Sequence, residues 1–346
     1  MQINDILEVA IQKKTSDVHL AVHKHPILRL DGKLVEQDQF PSLESSDIQA
    51  IVYPVLSDHQ KEELEKEREL GFVYTLNSTH RFRVNVFWEQ GYLTLVARYI
   101  PSDIPSMETL ELPPITYDFT KLEQGLVLLT GQTGNGKSTS LASMIDHINH
   151  ERSANIITFE DPIEFVFKSD KSIVRQREYG HDFMSFQKSL KFVVRHDPNV
   201  IMVGEMRDPE TIGTTITIAE TGHLVFSTIH TYDASQTIHR IIDYFPSDQQ
   251  SQVRMQLAMT LRGVISQLLV PKVGGGRVAV REILVNTPGI ANLIRENKIE
   301  HIPSMIQTGS DHGMVTMDQA LHDIYTKGLI TEETARAHMQ DTRLLG

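Results

Sequence analysis

The first hundred residues alternate between helical and strand-like spacing of apolar positions. Apolar side chains recur every three or four residues between positions 3 and 11, which predicts an amphipathic helix. Strand-like alternation follows in SDVHLAV and PILRL and again between positions 72 and 100, whereas helical patterns with capping residues begin at Ser45 and Ser57. These patterns predict an α+β domain over residues 1–100.

Prolines mark the next segment. Residues 101–120 contain Pro101, Pro105, Pro113 and Pro114 and have little apolar periodicity. Because proline interrupts both helical and ladder hydrogen bonding, this segment is predicted to be a linker between two domains.

Residues 121–346 show short apolar runs that alternate with helical patterns. The runs LVLLT, NIITFE, VIMVGE and HLVFSTIH are separated by helical patterns at 136–149, 185–196 and 209–221. This alternation favours a mostly parallel sheet with helices on both faces. Residues 246–346 are predicted to be largely helical, apart from the hairpin-like segment GGGRVAVREILV. The predicted fold class is α/β, with an α+β domain followed by a parallel α/β domain that has a helical C-terminal part.

Composition narrows the class of protein. The 346 residues are 40% hydrophobic and 23% charged, as in ordinary globular proteins. No apolar run reaches the roughly 18 to 20 residues that span a bilayer. The first residues also lack the features of a signal peptide, so a cytoplasmic location is expected. The absence of cysteine excludes disulfides and thiolate chemistry, and the net charge of -12 argues against a nucleic-acid partner.

The segment GQTGNGKST lies between an apolar run and a helical pattern, and it fits the phosphate-loop pattern GxxxxGK[ST]. Glycines let backbone N–H groups curl around a phosphate, and the N-terminus of the following helix attracts the anion. Lys137 is expected to contact the β- and γ-phosphates, and the Ser138 hydroxyl is the candidate ligand of Mg²⁺. The predicted nucleotide-binding residues are Gly131, Gln132, Thr133, Gly134, Asn135, Gly136, Lys137, Ser138 and Thr139.

Acidic and histidine side chains follow three further apolar runs. Glu205 follows VIMVG, Glu160 and Asp161 end the NIITFED segment, and His230 ends HLVFSTIH. Carboxyl ends of parallel strands meet at one edge of a sheet, so Glu205 is the candidate to orient or deprotonate the attacking water. Glu160 is the candidate to support the metal-bound water, although a helix cap or a surface ion pair explains each acid alone equally well. His230 is interpreted either as a sensor of the γ-phosphate or as the partner of a backbone carbonyl.

Together these segments resemble the secretion ATPases, and in particular the PilT family of type IV pilus retraction ATPases. GQTGNGKST resembles the Walker A motif of that family, and IITFEDPIEFVF resembles its aspartate box. VIMVGEMRD is similar to its Walker B motif, and AETGHLVFSTIHT to its histidine box. SDVHL, RFRVNVF and LRGVISQLL are also similar to family segments, so the resemblance covers nearly the whole chain.

The resemblance implies a PAS-like N-terminal domain joined to a RecA-like ATPase domain over residues 121–346, with ATP and Mg²⁺ as cofactors. It implies a homohexamer at the inner face of the cytoplasmic membrane, with an inner-membrane pilus platform protein and a paralogous retraction ATPase as candidate partners. It also implies that Arg83 and Arg98 reach the phosphates, whereas the sequence alone favours two surface arginines. The catalytic set that follows is Glu205, Glu160, Lys137, His230, Arg83 and Arg98.

Three other functions fit parts of the sequence: a pilus-assembly or secretion ATPase, an accessory ring subunit that does not hydrolyse ATP, and a RecA-like nucleic-acid translocase. Assembly and type II secretion members usually carry a tetracysteine zinc module, which a chain without cysteine lacks. The segment GIANLIRE resembles the AIRNLIRE element that is linked to retraction. It departs from that element at Gly289 and Ala291, where the family has Ala and Arg.

Overall fold

The computed structural model describes residues 1–30, 32–77, 80–100 and 103–345. The chain divides into two units, Met1–Asp103 and Ile104–Gly346. Pro101 and Ser102, at the start of the predicted linker, lie outside the described residues. The predicted domain boundaries stay a prediction.

In its described residues, the first unit is an antiparallel sheet with three α-helices. Its strands are ordered β3-β2-β1-β6-β5-β4. Apolar residues alternate along β5, so that Phe82 and Val84 are buried in the core while Arg83 between them is exposed. The elements are α1 (Ile3–Gln12), β1 (Asp17–Leu20), β2 (Ile27–Leu30), β3 (Lys33–Glu36), α2 (Ser45–Val52), α3 (Asp58–Glu67), β4 (Glu69–Leu76), β5 (His80–Glu89) and β6 (Tyr92–Ile100).

The second unit begins with four helices and five strands in alternation. The four apolar runs that were predicted to be strands form β7, β8, β10 and β11. The strand β9 was not predicted, because its sequence IVRQRE is mostly polar. The elements are α4 (Pro114–Lys121), β7 (Gly125–Thr130), α5 (Lys137–Glu151), β8 (Asn155–Glu160), β9 (Ile173–Glu178), α6 (Phe186–Val193), β10 (Val200–Val203), α7 (Pro209–Glu220) and β11 (Leu224–Ile229).

The remainder of the second unit adds a hairpin and six helices within the described residues. Its elements are α8 (Ala234–Asp243), α9 (Ser247–Thr260), β12 (Leu261–Pro271), β13 (Arg277–Val285), α10 (Pro288–Arg295), α11 (Ile302–Gln307), α12 (Met317–Thr326) and α13 (Glu332–His338). The sheet order is β13-β12-β7-β11-β10-β8-β9. All neighbours are parallel except β12 and β13. The predicted α/β class is confirmed.

The helical prediction for residues 246–346 was wrong at β12. The segment LRGVISQLLVP forms an 11-residue strand that pairs with β7 on one side and with β13 on the other. A continuous apolar run reads equally well as a buried strand or as a buried helix, and here pairing with two strands decides the outcome. The hairpin-like prediction for GGGRVAVREILV is confirmed by β13.

Part of the predicted linker is packed structure. Helix α4 begins at Pro114, because proline fits the first turn of a helix where no N–H is needed. Met107, Leu112 and Phe119 are buried in the core of the second unit. Pro113 and Pro114 therefore mark the start of a helix.

Helix α10 carries the two positions at which GIANLIRE departs from its family pattern. Ala291 is partly buried and packs against the main core of the second unit, and a Cβ on Gly289 would meet the flexible end of Met305. Among the described residues, no helix combines the length and the apolar character needed to cross a bilayer.

Candidate nucleotide site

The loop between β7 and α5 has the backbone of a phosphate-binding loop. Gly134 and Gly136 have φ angles of 85° and 75°, in the left-handed region that favours glycine. Left-handed residues in a turn create concave groups of N–H donors that bind anions. Helix α5 begins at Lys137 directly after the loop, so that its positive end faces the same place. The motif predicted this conformation.

Lys137 is buried at the start of α5, with 7% of its surface exposed. Its Nζ donates to the carbonyl oxygens of Gly131 at 2.7 Å and Gln132 at 3.0 Å. Burial lowers the pKa of the Lys137 ammonium, and the carboxylate of Glu205 opposes that shift. The cation is thus held inside the loop and directed at its backbone.

The strand order brings the other predicted residues to the same edge of the sheet. Strands β7, β11, β10 and β8 are consecutive neighbours and run parallel. Their carboxyl ends carry, in this spatial order, the phosphate loop, His230, Glu205 and Glu160. In parallel sheets ligands bind in the crevice at this edge.

His230 connects the phosphate loop with Glu205, which follows β10. Its Nδ1 lies 3.3 Å from Lys137 Nζ, and its Nε2 lies 2.9 Å from Glu205 Oε1. An ammonium has no lone pair to offer, so Nδ1 accepts from Lys137 and the proton on Nε2 is donated to Glu205. The three side chains form one continuous chain of hydrogen bonds.

Glu205 is half-buried and also pairs with an arginine that the sequence analysis did not single out. Arg207 Nη2 lies 2.8 Å from Glu205 Oε2, while Arg207 Nη1 lies 3.5 Å from Asp161 Oδ2. Burial raises the pKa of Glu205, but the hydrogen bonds and charges of Arg207 and His230 outweigh it and lower the pKa below its usual value. Glu205 is therefore ionised at neutral pH.

Glu160 lies at the end of β8 in a different environment. It is buried, and its Oε1 accepts from Thr158 Oγ1 at 2.7 Å and from Gln176 Nε2 at 2.9 Å. Burial raises the pKa of this carboxyl to about 7, because these neutral donors compensate only part of the lost hydration. Two acids that the sequence presents alike thus differ in charge state near neutral pH.

A polar pair behind the loop was missed by the sequence analysis. Gln267 on β12 donates from Nε2 to the carbonyl of Asn135, and Arg281 on β13 donates from Nε to Gln267 Oε1. Both are polar residues in the middle of mostly apolar strands, which was the signal that could have revealed them. It was overlooked because β12 was predicted to be helical.

The two predicted arginines lie in the first unit. Arg83 on β5 and Arg98 on β6 are neighbours across the two strands, and both are exposed. Arg98 Nε lies 2.8 Å from the buried carboxylate of Asp17, which Arg29 also approaches at 3.7 Å. Within the part of the chain that the structure describes, Arg83 forms no ion pair.

The donors for a metal ion are few. Ser138 is exposed at the start of α5, and no group of three or more histidine, aspartate or glutamate side chains in the described ranges is arranged to hold a metal. Mg²⁺ keeps several waters and binds through phosphates with one or two protein oxygens. The residues present fit that mode of binding, in which the nucleotide supplies most ligands.

A phosphate loop at the end of one parallel strand, with acids at the ends of its neighbours, defines a P-loop nucleoside triphosphatase. Residues 1–275 match the family described as Type II/IV secretion system protein, and the chain belongs to that family. It is accordingly a nucleotide-binding ATPase.

Three similar proteins refine this assignment. The type IV pilus retraction ATPase PilT of Pseudomonas aeruginosa is 44% identical over 97% of each chain. A twitching motility protein of Neisseria gonorrhoeae is 46% identical over 92% of this chain and 85% of its own. The crystal structure of the pilus retraction motor PilT with bound ADP matches with a TM-score of 0.92 at 45% identity, covering 99% of this chain and 98% of that one. The sequence-based resemblance to the PilT family is confirmed.

Proposed function

We propose that this chain is the subunit of a homohexameric motor that hydrolyses Mg-ATP to power the retraction of a type IV pilus. Its similarity to retraction and twitching proteins along nearly the whole chain supports the pilus as the object of the work. The homohexamer and a location at the inner face of the cytoplasmic membrane belong to this proposal. An inner-membrane pilus platform protein is its proposed partner.

The observation that best supports hydrolysis is the chain of hydrogen bonds from Lys137 through His230 to Glu205. Lys137 Nζ lies 3.3 Å from His230 Nδ1, and His230 Nε2 lies 2.9 Å from Glu205 Oε1. It joins the group that would contact the γ-phosphate to the carboxylate that would orient water. A change at the phosphates would therefore alter the hydrogen bonding of Glu205 through a single side chain.

In this mechanism Lys137 exchanges its bonds with the loop carbonyls for bonds with the β- and γ-phosphates. Ionised Glu205, held by Arg207, orients the attacking water in line with the γ-phosphate. Ser138 would hold Mg²⁺, with Glu160 supporting its bound water, and the ion would neutralise charge on the phosphates. Arg83 and Arg98 would stabilise the negative charge of the transition state.

The test is steady-state ATP hydrolysis by the purified chain and by Glu205→Gln. We expect the variant to bind ATP with unchanged affinity and to lose about 10²- to 10⁴-fold in turnover, because the ionised acid at the water is gone. The matched control is Glu151→Gln, an exposed acid at the end of α5, which should behave like the unmodified chain. Equal turnover in both variants would contradict the role of Glu205.

A second experiment separates retraction from its alternatives. Cells carrying Glu205→Gln in place of the native chain should keep surface pili and lose twitching, because pili extend but are not withdrawn. Cells without pili would instead point to an assembly ATPase. A chain that forms a ring and binds ATP but never turns it over, alone or with its membrane platform, would be an accessory subunit.

A further inference from the structure

Two polar residues are buried directly behind the phosphate loop. Gln267 on β12 and Arg281 on β13 lie opposite each other across the hairpin, and they are only 3% and 6% exposed. Burying a guanidinium among apolar strands costs free energy unless its hydrogen bonds and charge are compensated. Neither residue belongs to the catalytic set, so their place in the fold requires another reason.

Gln267 fixes the orientation of one peptide group in the loop. Its Nε2 donates to the carbonyl oxygen of Asn135 at 2.6 Å, and its Oε1 accepts from Ser140 Oγ and Arg281 Nε, each at 2.8 Å. The C=O of Asn135 and the N–H of Gly136 belong to one trans peptide plane and point in opposite directions. Holding the oxygen towards Gln267 therefore turns the Gly136 N–H away from β12, to the side where a phosphate is bound.

The glycines of the motif leave room for this contact. A Cβ on Gly131 would lie 2.3 Å from the main-chain oxygen of Gln267, and a Cβ on Gly136 would lie 3.0 Å from Gln267 Nε2. The first distance is shorter than any real Cβ contact. Close packing against β12 thus also requires the first of these glycines and leaves only a tight fit for a side chain at the second.

Arg281 brings a positive charge that no carboxylate balances at close range. Its Nε bonds to Gln267, and its Nη1 donates to the carbonyl of Glu111 at 3.2 Å. Among the residues that the structure describes, no acid forms an ion pair with it, and the Glu111 carboxylate acts only as a weaker, more distant charge. Burial lowers the pKa of Arg281 to about 10, so it remains charged at neutral pH. Inside a protein such a charge is poorly screened by salt.

We propose that Arg281 is a positioning residue for the nucleotide. Through Gln267 it fixes the peptide that directs the Gly136 N–H at the phosphates, and its charge favours a polyphosphate in the loop. The inference rests on the proposed function only in requiring that the chain binds ATP and ADP. It does not depend on hydrolysis, on a ring or on a pilus.

The experiment is calorimetric titration of the purified chain with ADP, and competition with AMP, for Arg281→Met and Arg281→Lys. Arg281→Met removes a buried unit charge and should lower ADP affinity on the order of 10-fold. The loss should be smaller for AMP, which carries fewer phosphate charges. Arg281→Lys keeps the charge and should recover part of the ADP affinity, and the KM for ATP should rise more than kcat falls.

The matched control is Arg262→Met at the other end of β12. Arg262 also donates to backbone carbonyls, those of Gln124 at 3.2 Å and Met259 at 2.9 Å, but it lies beside the start of β7 rather than its end. Its removal should leave ADP and AMP affinities unchanged. Circular dichroism of each variant checks that the fold is retained.

Equal losses for ADP and AMP, or an unchanged ADP affinity in Arg281→Met, would overturn the inference. A Gln267→Leu variant gives an independent answer if Arg281→Met fails to fold, because it removes the contact with Asn135 and should also weaken ADP more than AMP. If the unmodified chain bound no ADP, the proposed function itself would be wrong. If it bound ADP and all variants bound equally well, only the role of Arg281 would be wrong.

Discussion

Two pairs of cationic side chains, one pair in each unit, are held in opposite ways. In the second unit, Lys137 and Arg281 are buried: Lys137 donates to a carbonyl of the phosphate loop, and Arg281 donates to Gln267, which contacts the loop. In the first unit, Arg83 and Arg98 are exposed on neighbouring strands, and within the described ranges Arg98 has a carboxylate partner whereas Arg83 has none. Buried cations are preorganised for a ligand that always takes the same place, whereas an exposed arginine without an ion pair, such as Arg83 among the described residues, keeps its conformational freedom.

The largest effect should come from the exposed group. Arg83→Ala should lower kcat for ATP about 10³-fold, since an arginine that neutralises charge only in the transition state is worth that much in related phosphoryl transfers. The affinity for ADP should change far less. The control is Lys66→Ala, an exposed cation on α3 in the same unit. A variant with normal kcat would show that Arg83 is an ordinary surface arginine, as its sequence alone suggests.

The buried group should show the reverse pattern. Lys137→Met should weaken ADP binding about 10²-fold, because the charge-assisted hydrogen bonds of the buried ammonium to the phosphates are lost. Titration calorimetry with ADP measures this directly. If Lys137→Met changed only kcat and left ADP affinity intact, the proposed difference between buried and exposed cations would be wrong.

The smallest expected effect concerns one buried acid, Glu282. Glu282 on β13 accepts from the N–H of Ala234 at 2.9 Å and of Met317 at 3.4 Å, at the starts of α8 and α12. Burial raises its pKa to about 7 from 4.5. The folded chain therefore binds more protons than the unfolded chain between these values, so stability falls as pH rises from about 4.5 through about 7.

Replacing Glu282 by its neutral analogue glutamine tests the sign of this pH dependence of stability. Glu282→Gln should remove a decline on the order of 2 kcal/mol in the free energy of unfolding between pH 5 and pH 8. Denaturant unfolding at both pH values gives the difference, and Glu333→Gln at the exposed start of α13 is the control. A decline that is the same in Glu282→Gln and in the control would exclude Glu282 as its source.

Much of the site could be predicted, because motif and strand pattern are local properties. The phosphate loop, Lys137 and the strand-end positions of Glu160, Glu205 and His230 all follow from short stretches of sequence. The spatial order β7-β11-β10-β8 does not, since it depends on which strands pair. It is this order that places His230 between the loop and Glu205.

The rest depended on burial and on distant pairing. Glu160 and Glu205 have pKa values shifted in opposite directions because one has neutral donors and the other has an arginine. Gln267 was missed because the apolar run of β12 was assigned to a helix, and Arg281 was missed with it, because only the pairing of β13 with β12 shows that Arg281 contacts Gln267. Interactions between residues more than a hundred positions apart leave little trace in a local pattern.

Strand β12, which contacts the phosphate loop, is synthesised late in translation. Thr130, the last residue of β7, shares a hydrogen bond with Ser266 on β12, 136 residues further along the chain. During translation the loop therefore emerges from the ribosome long before β12, and the parallel pair closes only after a large loss of chain entropy. The contacts of β12 with β7 and with the phosphate loop are consequently formed late in synthesis.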